Sequence, residues 1–321
     1  MTQKLICVSK LIFYPKPPFN FDTSLYKPSH FPSSDNTWVS GAYWITMLWK
    51  GCSLGLKLEN KGSVSDPKVV ISVFSKKKLS ASFLRELRPE LIWRFNFDAD
   101  LSEFCKLYGS DKVLGRVIKK FKGMRPVAAN SLYETLVIYI VLQNAFIRRS
   151  VQMLENLFNT YGSKVEYDGR VLSCFWDAKK IAKSTESKLR ELKLGYRAKF
   201  LLKLSSQFSK GEVDEYALRK ASNSEIEKEI LKIYGIGPAS IEYLLFEDFY
   251  RYDAFSCIPP WEQKILSKLL FNKKLVSVEK IFKKAEKWGK YKKLAIHYIW
   301  EDIFWKRMNS KVDWLEKEIR L

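Results

Sequence analysis

The stretch Leu231-Lys-Ile-Tyr-Gly235-Ile236-Gly237-Pro238-Ala-Ser-Ile-Glu-Tyr-Leu-Leu245 reads as a helix, a two-glycine bend and a second helix. Ser222 and Glu225 have the spacing of a capping box that opens the first helix. Ile226, Ile230, Leu231 and Ile233 fall on one buried stripe. Gly235 and Gly237 allow backbone angles closed to other residues. Pro238 suits the first turn of the second helix, where its missing N–H is no loss. Ile241, Leu244 and Leu245 give that helix an apolar face. Such a bend can aim free backbone N–H groups at a phosphate, helped by the helix dipole. It serves equally well as a tight turn between two core helices, and both readings stand at this point.

Charge bears on that choice. The 321 residues hold 56 Lys and Arg against 35 Asp and Glu, a formal charge of +21. This excess points to a polyanionic partner. Basic clusters recur at Lys76-Lys77-Lys78, at Lys119-Lys120 with Lys122, at Lys179-Lys180 and from Lys283 to Lys293. None forms a long charge block, which argues against a disordered basic tail.

A hydrophobic content of 46% supports a sizeable core. The N-terminus lacks a signal-peptide pattern, and the apolar run Leu136 to Leu142 is too short to span a bilayer. An intracellular protein, cytoplasmic or in the nucleoid and without a membrane partner, is expected. The five cysteines are scattered, as expected of reduced thiols. No cysteine pair has metal-finger spacing, and the thiolates for an iron–sulfur cluster are not grouped. His30 and His297 lie far apart, so no metal site is expected, and metal-dependent nuclease chemistry has no motif here.

The chain changes character near residue 90. Residues 1–90 predict a β-rich domain, with strand-like runs at Trp38-Val39, Ala42 to Trp49, Leu54 to Leu58 and Lys68 to Phe74. Residues 91–321 predict a helical domain. Ser131 with Glu134 is a second capping-box pair, opening a helix that Gln143-Asn144 interrupts. Further helices are predicted over Ala182 to Leu192, Tyr196 to Phe208 and Trp288 to Trp305. The fold class is α+β, an antiparallel β-rich part ahead of an all-α part.

From Leu91 to Trp305 the chain resembles the helix-hairpin-helix DNA glycosylases, in the group that holds the alkylated-base and oxidised-guanine enzymes. The blocks that carry the resemblance come in the family's order. They are Phe97 to Phe104, Gly123-Met-Arg125-Pro, Glu134 with Leu142-Gln143-Asn144, Leu194-Gly195-Tyr196-Arg197-Ala198-Lys199, Gly235-Ile236-Gly237-Pro238, and Trp288 to Trp300. The resemblance implies a monomer that binds duplex DNA through Gly235, Gly237, Pro238 and Ala239, flips out a damaged purine and cleaves its glycosidic bond. It implies that Asn144, after Gln143, fills the vacated space, and that Arg148 and Arg149 meet phosphates. Trp176, Tyr252 and Trp261 are the aromatic candidates for stacking the extruded base. No cofactor is implied, although a structural monovalent cation at the bend is compatible with the family.

Two departures qualify the resemblance. Counting from Ala239 to the family's essential Asp lands on Cys257 or Ile258, followed by Pro259-Pro260. The nearest carboxylates are Asp253 and Glu262, and the choice among Asp253, Glu262 and neither stays open. The lysine that strand-cutting members use as nucleophile is replaced by Ala239. A monofunctional base-excision enzyme is therefore expected. A catalytically silent damage-binding protein of the same fold and an RNA-binding accessory module are the alternatives.

Overall fold

A computed structural model describes residues 2–319. The strands are β1 (Thr2–Lys4), β2 (Ile6–Phe13), β3 (Asn36–Val39), β4 (Ala42–Trp49), β5 (Cys52–Asn60), β6 (Val69–Ser75), β7 (Ser163–Tyr167) and β8 (Arg170–Cys174). Helices α1 (Phe21–Leu25), α2 (Ala81–Arg94), α3 (Ser102–Tyr108) and α4 (Leu114–Lys120) precede the central pair α5 (Leu132–Leu142) and α6 (Ile147–Tyr161). Five helices follow: α7 (Ala178–Ala182), α8 (Glu186–Glu191), α9 (Arg197–Ser209), α10 (Glu215–Lys220) and α11 (Asn223–Ile230). The chain closes with α12 (Pro238–Glu247), α13 (Pro260–Phe271), α14 (Val278–Ala285), a 3-10 turn over Glu286–Tyr291, α15 (Lys292–Asn309) and α16 (Asp313–Glu316). No helix among the described residues is long and apolar enough to cross a membrane.

The five-stranded antiparallel sheet runs β2-β6-β5-β4-β3. Both faces of β4 are covered, which explains its unbroken apolar run. Tyr43, Ile45, Met47 and Trp49 join Leu87 and Leu91 of α2 in one core. Trp44, on the opposite face, packs with Val165 and Tyr167. Those residues belong to the β7–β8 hairpin, which the sequence reading passed over inside the helical part. β1 pairs in parallel with β7. Asp168-Gly169 forms the two-residue turn, both at positive φ, and Asp-Gly between alternating strands is a hairpin signal. Of Ala182 to Leu192, predicted as one helix, only α8 is helical beyond Ala182, the last residue of α7; Asp177 caps α7 and Thr185 starts α8 afresh. Both capping boxes form as predicted, at Ser131/Glu134 and Ser222/Glu225.

The helices bury two larger cores. One gathers residues of α5, α6, α9, α11 and α12. The other gathers α3, α4, α13, α14 and α15. α12 belongs to both: Ile241, Leu244 and Leu245 face the first and Phe246 the second. The bend of Gly235 to Gly237 therefore feeds directly into the helix that borders the seam between the cores.

Buried polar contacts lock the β-rich part onto the helices. Arg125 is fully buried and donates to the carbonyls of Asn96 and Lys16 at 2.9 Å each, and also to that of Pro18. Glu90 of α2 accepts from Arg94 at 2.8 Å and from Arg219 of α10 at 2.6 Å. Burial alone would raise the Glu90 pKa, but the two guanidinium groups hold it below the ordinary glutamate value. Removing one member leaves buried charge without its partner. Glu90→Ala is expected to lower the unfolding free energy by about 3–5 kcal/mol, measured by urea denaturation.

Candidate nucleic-acid interface and active site

Gly235 has φ +93°. A Cβ there would also stand 2.6 Å from the Phe200 ring, so both the backbone and the packing demand glycine. Gly237 is the N-cap of α12 in an extended conformation, with open space where a Cβ would project. Pro238 takes the first helical position and Ala239 follows, both exposed. Among the described residues, the Gly237 and Ala239 amides have no protein acceptor. The bend thus presents free donors at a helix N-terminus, an arrangement suited to a phosphate. Its surroundings are basic and aromatic. Lys203 Nζ lies 3.8 Å from the centre of the exposed Tyr234 ring, and Lys199 Nζ 5.7 Å away.

Three segments distant in sequence meet at this bend. Gln143 Nε2 donates to the Gly235 carbonyl at 2.6 Å. Arg197, itself buried, donates to the Gln143 carbonyl. Asn144 Nδ2 donates to the Tyr196 hydroxyl at 3.2 Å. Asn144 sits at φ +48° in the exposed turn between α5 and α6, with Arg148 and Arg149 exposed on the first turn of α6. The Gly235 carbonyl is engaged by Gln143 and that of Ile233 by the Ile236 amide. Protein hydrogen bonds thus shape the bend, although each carbonyl keeps a second lone pair that a monovalent cation would use.

The same helix reaches a carboxylate. Glu262 is the third residue of α13, buried, with the helix dipole favouring its charge. Tyr243 of α12 donates its hydroxyl to Glu262 Oε2 at 2.7 Å. Burial, and then the Glu262 charge, push the Tyr243 phenol well above its ordinary pKa, so it remains a donor. Lys293 Nζ faces Glu262 Oε1 at 4.0 Å. Glu242 anchors the connecting loop, accepting from the Ser256 amide at 2.9 Å and from its hydroxyl. Asp253, by contrast, is exposed in the turn before α13, and no side-chain bond of it is formed among the described residues. Ile258, where the family count falls, is buried and apolar.

Toward the seam the aromatic walls are not those expected. Trp176 lies in the core, ringed by Phe158 and Phe175, with its indole N–H donated to Tyr133. No face of it is left for a base. Tyr252 is half-buried, its hydroxyl accepting from Asn96. Trp261 is exposed and meets Trp300 edge-on at 5.6 Å. Tyr139 and Tyr243, both partly exposed on facing helices, stand 6.5 Å apart edge-to-face. Below them, Glu247 accepts from Tyr139 at 3.4 Å and pairs with His30 at 3.5 Å. Desolvation opposes the charge on His30, yet Glu247 raises its pKa above the ordinary value. Deeper, burial drives His297 well below its ordinary pKa and Lys27 down to about 8. Tyr139, Tyr243 and Glu247 went unread in the sequence, and His30 and Lys293 were not read as site residues. The i,i+4 spacing of Tyr243 and Glu247 on α12 was the available signal, but it takes the partner helices to give it meaning.

The two glycines should respond differently to substitution. Gly235→Ala is expected to destabilise the fold by about 1–3 kcal/mol, seen as a lower Tm. Gly237→Ala should leave Tm within about 2 °C while weakening affinity for duplex DNA in fluorescence anisotropy. Equal affinity of wild type and Gly237→Ala would show that the bend is only a turn.

No family model matches the chain. The DNA-3-methyladenine glycosylase of Bacillus subtilis is 24% identical over 253 residues, spanning 74% of this chain and 82% of its own. The 3-methyladenine DNA glycosylase of Archaeoglobus fulgidus superposes with a TM-score of 0.73 at 16% identity, covering 92% of this chain and 98% of that one. The 8-oxoguanine glycosylase/lyase of Clostridium acetobutylicum gives 0.69 at 21% identity, covering 94% and 99%. The two structural matches cover more than nine tenths of this chain. Together with the Gly235–Gly237 bend held by Gln143 and Arg197, this gives the chain the fold of these glycosylases and a likeness in sequence to the Bacillus subtilis enzyme.

Proposed function

We propose that the protein is a DNA base-excision N-glycosylase that flips a damaged purine from duplex DNA and hydrolyses its glycosidic bond without cutting the strand. The observation that carries this reading is the Tyr243–Glu262 hydrogen bond. It ties a buried carboxylate to the helix whose N-terminus offers free amides to a phosphate. Positive charge develops on the sugar as the base departs, and a fixed carboxylate beside it stabilises that charge. Extrusion costs a few kcal/mol, less for a damaged base. Asn144, in the exposed α5–α6 turn, occupies the vacated space. Tyr139 and Tyr243 offer the aromatic walls for the extruded base. The DNA-bound form of the Clostridium acetobutylicum relative, with a TM-score of 0.66 to this chain, supports a duplex partner.

The absence of strand cleavage follows from Ala239, which brings no amine to the start of α12. Lys232 is exposed and paired with Glu229, and Lys264 is exposed and faces Glu318. A single copy of the chain is enough to engage one lesion.

Free base released from duplexes carrying alkylated, oxidised or deaminated purines, measured by mass spectrometry, tests the proposal. Wild type should release base from at least one substrate. Glu262→Gln should slow that release about 100-fold or more, while Asp253→Asn stays near the wild-type rate. The strand should remain whole without alkali, and borohydride should trap no covalent adduct. No free base from any substrate would leave a damage-binding protein, and full activity in Glu262→Gln would put the carboxylate elsewhere.

A further inference from the structure

Lys293 is an oddity that base excision by Glu262 alone leaves unexplained. It lies at the start of α15, only 5% exposed, on a chain whose other lysines mostly reach solvent. Burying an ammonium is costly unless something compensates. Its compensation is partial: Glu262 Oε1 stands 4.0 Å away, beyond hydrogen-bond reach. Among the described residues Nζ makes no hydrogen bond. The Tyr243 and Phe255 rings flank it, with centres 5.2 and 5.1 Å from Nζ. These rings favour the cation without taking up its protons. Its backbone is held as well, the Lys293 amide donating to the Tyr252 carbonyl at 2.8 Å. A fixed donor therefore stands with its hydrogen-bonding capacity unspent, next to the carboxylate that would act on the sugar.

We propose that Lys293 is the general acid of the reaction, donating a proton to the departing base while Glu262 accepts one from water. The inference rests on the glycosylase reading above and deepens it. The bond between C1′ and the purine nitrogen breaks, and its electron pair goes to the base. The base takes a proton from the Lys293 ammonium and leaves neutral. Water adds to C1′ and gives its proton to Glu262. That proton then crosses from Glu262 to the Lys293 amine, restoring both charges. The sum is hydrolysis, with no further reactant. The 4.0 Å spacing gives each group room to meet its own target while leaving the return transfer short.

The mechanism sorts substrates by charge. A neutral damaged purine such as 8-oxoguanine or hypoxanthine needs a proton to leave. A cationic one such as 7-methylguanine already carries the charge and departs neutral without help. Lys293→Met keeps the apolar stem and removes the donor. In single-turnover assays it should slow release of neutral bases about 100-fold and of 7-methylguanine less than about 3-fold, with duplex affinity unchanged. Lys293→Arg should recover part of the neutral-base rate. Equal losses on both substrate classes, or no loss, would overturn the assignment. So would a wild type that releases only the cationic base. These outcomes are separable from failure of the underlying reading, in which wild type releases no base of either kind or Glu262→Gln remains fully active.

Discussion

The hydrogen bond from the Gln143 side chain to the Gly235 carbonyl is the constraint on which the rest depends. It pins the bend to the α5–α6 turn, and Arg197 pins that turn from the other side. Gly235 then adopts an angle other residues resist, with Phe200 packed where a side chain would go. With the bend fixed, the direction of α12 is fixed, and with it the position of Tyr243. In the proposed function, a phosphate held at the bend would lie at a set distance from Tyr243, since five residues of helix rise only about 7.5 Å. Binding energy gained at such a phosphate would then be available for orientation at the sugar.

The seam between the two helical cores is where polar groups are kept at a cost. Along it lie Glu262, Lys293, Glu247, His30, His297, Glu301 and Lys27, most of them buried. The buried ones are balanced by neighbouring groups rather than by solvent. His30 gains from Glu247, and Glu247 is held below the ordinary glutamate value despite burial. Glu301 is instead raised, because burial outweighs the help it receives from Lys27, His30 and Ser29. His297 stays neutral against Phe246, its Nε2 without a partner among the described residues. Apolar side chains would fill this space with less penalty.

The bend, its flanking helices and both capping boxes were legible because each is a local pattern: two glycines and a proline, or a serine three residues ahead of a glutamate. The antiparallel sheet was legible through β4, β5 and β6, whose β-branched and aromatic runs end at turn residues. The β7–β8 hairpin was missed although Asp168-Gly169 marked it, because its short strands sit between helices that dominate the surrounding pattern. The parallel pairing of β1 with β7 joins residues too far apart for any local signal. Within the site, Glu262 was within reach of sequence reasoning because its place in a first helical turn suits a carboxylate. Its partners were not. Tyr243, Lys293 and Tyr139 come from three helices, and only packing shows that they share a seam. Trp176 shows the reverse case, an aromatic residue whose type fits a stacking role but whose position is the core.

The central claim is that Glu262 faces positive charge on the sugar while the bend holds the strand. It is tested most directly by affinity for duplexes bearing abasic-site mimics, one with a cationic pyrrolidine ring and one with a neutral tetrahydrofuran ring. Wild type should prefer the cationic ring, and Glu262→Gln should lose that preference while binding the neutral mimic as before. An unchanged preference in Glu262→Gln would contradict the account.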